Sequence, residues 1–150
     1  MGVLSNLSEE IKNAMLAKDT IKLESLRAIK SAVLLEETSS GSSGKLSDQE
    51  AIKLLQRLVK QRKDSASIFK EQKRLDLAEP EEAQAKVISA FLPAQFSNEE
   101  IESAITIIIE TIGANGMKDM GKVMGIASIK LEGKADGKRI SDIVKKKLGA

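Results

Sequence analysis

Gly116-Met-Lys-Asp-Met-Gly121-Lys122-Val-Met-Gly125 decides the fold, because it can be read as a phosphate loop or as part of a helix. Gly116 to Lys122 has the spacing G-x-x-x-x-G-K, in which loop amides cradle phosphates and a lysine completes the site. The context refuses that reading. Val123 stands where a Ser or Thr hydroxyl would bind magnesium, and no strand precedes Gly116. Met117, Met120, Met124, Ala127 and Leu131 instead carry a helical apolar period up to Gly133. The stretch is expected to be helical and the chain all-α.

The same period extends to both sides. Gly133-Lys-Ala-Asp-Gly-Lys138 reads as a joint between two helices: Gly133 ends one, Asp136 caps the next, and Gly137 belongs to the turn. Ile140, Ile143, Val144 and Leu148 then face inward, with Lys145-Lys-Lys147 at the favourable end of the helix dipole. Upstream, Ser97-Asn-Glu-Glu100 is a capping box that opens a helix with Ile101, Ile105, Ile108 and Ile112 on one stripe and Gly113 at its end. The β-branched run Ile107-Ile-Ile109 suits a strand, but cap, length and terminal glycine favour the helix. Gly121 and Gly125, four apart, share a helix face and are expected to serve close approach, either of a packed neighbour within the domain or of a bound partner.

Leu92-Pro93 breaks the periodicity, since proline removes a donor and pushes the preceding residue out of the helical region. The expected domains are therefore 1–92 and 93–150, the second a three-helix unit. In the first, Leu4, Leu7, Ile11, Ala14 and Met15 predict a helix ending near Lys18. Asp19 caps a second with Leu23, Leu26, Ile29 and Val33 inward. Thr38-Ser-Ser-Gly-Ser-Ser-Gly44 has no apolar anchor, so a flexible loop is expected over 38–46. Ser47-Asp-Gln-Glu50 opens a long third helix with Ile52, Leu55, Val59, Ala66 and Phe69 inward. Pro80 is placed in the first turn of a fourth, with Val87, Ile88, Phe91 and Leu92 toward the core.

Composition limits the chemistry. The 150 residues contain no His and no Cys, which excludes a Ser-His-Asp triad, a Cys nucleophile, a disulfide and the usual zinc sites. No metal, cofactor or catalytic residue is expected: Ser67-Ile-Phe-Lys70 is a chance-level Ser-x-x-Lys pattern, and the paired glutamates sit on exposed faces. Three phenylalanines are too few for base-stacking platforms, so any RNA contact would run through phosphates and shape, without DNA sequence readout. No apolar window is long enough to cross a membrane and no secretory leader is apparent, so a cytoplasmic location is expected.

Net charge is only +2, so a polyanion site has to be local. Two local excesses exist. Residues 53–74 hold eight bases against two acids, with Lys53, Arg57, Lys60, Arg62 and Lys63 as a first basic face. Residues 117–150 hold nine bases against four acids, whereas 97–116 carry four acids and no base. Lys134, Lys138 and Arg139 surround the amide end of the last helix, an arrangement that attracts phosphate.

Ala14-Met-Leu-Ala-Lys-Asp19, Leu26-Arg-Ala-Ile-Lys30, Lys60-Gln-Arg-Lys-Asp64, Phe91-Leu-Pro-Ala-Gln95, Asp119-Met-Gly-Lys-Val-Met-Gly125 and Gly133-Lys-Ala-Asp-Gly-Lys138 follow one another as in the GatB/YqeY family. The chain resembles its stand-alone YqeY-like members over nearly its whole length. The resemblance implies an all-helical, two-part fold whose C-terminal part is similar to the tail of the tRNA-dependent amidotransferase B subunit, which helps recognise tRNA. Carried onto this sequence, it implies RNA contact by Lys122, Lys134, Lys138 and Arg139, flanked by Lys130, Lys145 and Lys146. The reading favoured by residues and resemblance together is a non-catalytic module for tRNA or a tRNA-charging enzyme. Its rivals are a protein-interaction adaptor that accepts a partner helix through the stripe Met117, Met120 and Met124 with Gly121 and Gly125, and a component associated with amidotransferase activity.

Overall fold

The computed structural model describes residues 2–39 and 44–149, and among these it contains seven α-helices, one 3-10 turn and no strand. The helices divide into two compact units, Met1–Pro93 and Ala94–Ala150. The expected flexible loop over 38–46 falls partly on residues 40–43, which lie outside the described residues.

The first unit contains α1 (Leu7–Ala17), α2 (Thr20–Thr38), α3 (Asp48–Glu71) and α4 (Leu75–Ser89). Lys18 takes the left-handed conformation at φ 57° and ends α1, and Asp19 accepts from the Lys22 amide at 3.1 Å to start α2. Two residues therefore suffice to reverse the chain. The capping box at α3 is closed in both directions, with Ser47 N to Glu50 Oε1 at 3.1 Å and Glu50 N to Ser47 Oγ at 3.2 Å. Leu26, Ile29, Leu55 and Ile88 are fully buried at the centre of this unit's core.

Three expectations for this unit are corrected. The core face of α3 is Ala51, Leu54, Leu55, Leu58, Val59 and Ala66, while Ile52 and Phe69 are only half-buried. α3 touches both α2 and α4, so it buries a wider face than a single stripe. Met15, assigned to the stripe of α1, is exposed. The fourth helix also begins earlier than Pro80. The Arg74 carbonyl accepts from Leu77 and Ala78 at 3.1 and 3.0 Å, and a fork from Arg74 to the Asp76 carboxylate fixes the first turn. Pro80 thus sits inside α4, which forgoes the bond its amide would give to residue 76.

The second unit contains α5 (Asn98–Ile112), the 3-10 turn Met117–Asp119, α6 (Met120–Lys130) and α7 (Gly137–Gly149). Ser97 and Glu100 close the second capping box, and Gly113 ends α5 at φ 67°. Ile101, Ile105 and Ile108 of α5, Val123 and Ala127 of α6, and Ile140, Val144 and Leu148 of α7 share one core with Leu131. Each large aliphatic side chain buried there contributes roughly 1.5–3 kcal/mol. Val123, absent from the expected stripe, is fully buried, whereas Met117 is 48% exposed and Ile112 stands at the rim. The phosphate-loop alternative is gone, since Met117–Lys130 is helical throughout.

Candidate nucleic-acid interface

The joint between α6 and α7 is built from its backbone outward. Gly133 is buried at φ 80°, a conformation that a side chain would strain. Asp136 Oδ1 accepts from the Arg139 amide at 2.8 Å and its carbonyl accepts from Ile140 at 3.2 Å, so Asp136 caps α7. The segment leading into α5 lies against this joint. Gln95 Nε2 donates to the Gly133 carbonyl at 2.8 Å, and Phe96 N donates to the Lys134 carbonyl at 2.8 Å. Arg139 Nη2 reaches the Phe96 carbonyl and Asn98 Oδ1, both at 2.9 Å, and Lys134 Nζ stands 5.3 Å from the Phe96 ring centroid.

This geometry sorts the candidate lysines. Lys122 and Lys130 on α6 and Lys138 and Lys145 on α7 are exposed, with no carboxylate partner among the described residues. Lys134 is exposed but spends part of its charge over the Phe96 ring, a contact worth about 0.5–1 kcal/mol in water. Lys146 stands 3.7 Å from Glu102, a surface pair worth roughly 0–1 kcal/mol. Arg139 departs from its expected role. Its guanidinium is half-buried and committed to Phe96 and Asn98, so its first function in this structure is to hold the chain. Lys118 and Lys147, not among the expected RNA contacts, are exposed beside them in chain order.

The glycines are corrected too. Gly121 and Gly125 are exposed, and a Cβ on either would meet nothing within 4 Å. Among the described residues neither packs closely against a neighbour, because the face of α6 turned to the core is Val123 and Ala127. Gly137 is likewise open, lies in the first turn of α7 and has no positive φ, so only Gly133 of this joint requires a glycine. The methionine stripe is not a free surface either. Met120 and Met124 pack against the core and leave Met117 as its exposed member.

The first basic face, in the other unit, is largely consumed internally. Arg57 pairs with Glu36 at 2.8 Å, Lys60 with Asp64 at 2.9 Å, and Arg62 donates to Gln84 Oε1 at 3.0 Å. Lys70 of the Ser-x-x-Lys pattern pairs with Glu82. Lys53 also has a partner. Lys63 remains, on the wall of a shallow groove of about 490 Å³ with Ala66, Ser67, Glu82, Ala85, Lys86 and Ser89.

Among the described residues no group of His, Cys, Asp or Glu could hold a metal ion, and no helix is long and apolar enough to cross a membrane. The family described as Yqey-like protein matches residues 4–148. "Altered inheritance of mitochondria protein 41, mitochondrial" of Clavispora lusitaniae is 37% identical over 116 residues, which cover 75% of this chain and 66% of that protein. The protein of the same name from Pyrenophora tritici-repentis is 28% identical over 152 residues, covering 99% of this chain and 82% of the relative. A glutamyl-tRNA(Gln) amidotransferase subunit of Thermococcus gammatolerans is 41% identical over 73 residues, 46% of this chain but 12% of that polypeptide. The expectation of a cytoplasmic protein is overturned by the mitochondrial names of the fungal relatives. Compartment is addressed by segments that are removed or lie outside a fold, so composition of the folded part does not report it.

Proposed function

The chain belongs to the Yqey-like protein family, and from that membership we propose that it is a non-catalytic accessory module that engages tRNA, or an enzyme handling tRNA, through its C-terminal unit. The observation that carries the reading is the set of exposed lysines without carboxylate partners among the described residues, Lys122, Lys130, Lys138 and Lys145, on two helices that share one core. A lysine already satisfied by a carboxylate gains little from a phosphate; an unpaired one releases counterions when a phosphate replaces them. The likeness to a stretch of a tRNA amidotransferase polypeptide supports the choice of polyanion. The chemistry of that enzyme is not part of the proposal, since the matched stretch is only 12% of that polypeptide.

Phosphate contact with few aromatic side chains predicts modest affinity, steep salt dependence and little preference among tRNA sequences. Filter binding of tRNA at low and at moderate salt, with the wild type and a Lys122→Glu/Lys138→Glu variant, tests this. The wild type is expected to bind at low salt, lose affinity as salt rises, and bind more tightly than the variant. Equal binding by both proteins, or none by either, sinks direct RNA contact. Retention of a tRNA-charging enzyme after ribonuclease treatment would then support the protein-partner arm.

A further inference from the structure

Asn115-Gly116 lies in the short connection between α5 and the 3-10 turn, and it is the one Asn-Gly pair in the chain. Asn115 is exposed, Gly116 has φ 75° and ψ 179°, and the Gly116 amide donates to no group among the described residues. An amide nitrogen outside a helical ladder and followed by no side chain is the nucleophile that attacks a preceding asparagine most readily. We propose that Asn115 is a site of spontaneous deamidation in the folded protein, producing aspartate and isoaspartate at this joint.

The chemistry balances without an enzyme or a redox partner. Hydroxide removes the Gly116 amide proton, and the nitrogen attacks Asn115 Cγ to close a five-membered succinimide. The Cγ–Nδ2 bond breaks and ammonia leaves. Water then opens the ring at either carbonyl. One opening restores the peptide link with aspartate at 115; the other moves the link to Cγ, giving isoaspartate and one extra methylene in the main chain. The net change is amide plus water to carboxylic acid plus ammonia.

The fold supplies its own comparison. Asp136-Gly137 is the related aspartyl-glycine pair and could pass through the same ring. Its carboxylate, however, is held on the Arg139 amide at 2.8 Å and Gly137 is already in α7. Among the described residues Asn115 has only its own backbone N–H tied, to Asp119 Oδ2 at 2.8 Å, which leaves its side-chain amide and the next nitrogen untethered there. Asn6, Asn13 and Asn98 precede Leu, Ala and Glu, whose side chains hinder the attack. Conversion also has a defined local effect: it adds a negative charge four residues before Asp119, in the same short segment as that carboxylate.

Incubation of the full chain at mildly alkaline pH, followed by native ion exchange and fragment-level mass spectrometry, tests the proposal. An acidic species should accumulate whose change maps to Asn115, with isoaspartate as the larger part and with Asp136 unchanged. In urea at the same pH Asn115 should continue to convert. Asn115→Gln, which needs a less favourable six-membered ring, should remove the acidic species and leave the circular dichroism unaltered. Conversion spread evenly over the four asparagines, or Asn115 intact when folded and converting only in urea, would overturn the assignment.

Discussion

Arg139 Nη2 donates to the Phe96 carbonyl oxygen at 2.9 Å across 43 residues of sequence, and this bond joins the start of α7 to the segment that leads into α5. Arg139→Ala is expected to lower the stability of the C-terminal unit by about 1–2 kcal/mol in urea unfolding, because a charge-assisted bond is lost and a carbonyl is left without its donor. Both bonds leave the single nitrogen Nη2, so Arg139→Lys, whose ammonium also carries several donors on one nitrogen, should recover part of that loss.

Gly125→Ala is expected to raise the urea midpoint, corresponding to about 0.5–1 kcal/mol, because the added methyl meets open space and removes backbone freedom from the unfolded chain. Gly121→Ala should act in the same direction by less, being nearer the helix end. A fall in stability for either would show a packed face.

Gly133 and Gly137, four apart in one motif, should respond oppositely. Gly133→Ala forces an L-residue to hold φ 80° in a buried joint and should cost about 1–2 kcal/mol. Gly137→Ala has ordinary helical conformation and free space, so thermal unfolding should be unchanged or slightly later.

The Asp76 carboxyl is held below the usual carboxylate range by the Arg74 fork, and the Glu50 carboxyl chiefly by the Ser47 backbone N–H. A depressed folded value means that the unfolded chain binds the proton more tightly. The stabilisation is therefore present above the unfolded value, around pH 4, and is lost as pH falls through the folded one. Thermal midpoints of an Asp76→Asn/Glu50→Gln variant should drop less than the wild type's between about pH 5 and about pH 3, roughly one unit either side of that value. Parallel curves would show that neither carboxylate matters. The effect should be small, because both lie in open solvent.

Features specified within a few residues were legible in the sequence. Ser47 with Glu50, Ser97 with Glu100, Asp19 with Lys22, and Gly113 at the end of α5 all depend on neighbours three or four positions away. The apolar period gave α2, α5 and α7 their buried faces for the same reason. Lys73 holds a left-handed conformation without glycine, so the reversal after α3 carries no strong local mark, whereas the one at Lys18 is marked by the Asp19 cap. The site was harder to read. Arg139 looked like a free cation because its acceptors lie 41 and 43 residues away, and Gly121 and Gly125 looked close-packed because spacing alone does not say which face of α6 turns inward.

The separation of charge within the C-terminal unit has a kinetic consequence. α5 carries acids while α6 and α7 carry the unpaired lysines, so an approaching polyanion would feel a torque before any contact forms. Under the proposed function, encounters would be steered toward the exposed lysines of α6 and α7, over a range of about one Debye length, roughly 8 Å at physiological salt. Capture rate, more than residence time, is then the quantity that added salt should reduce first.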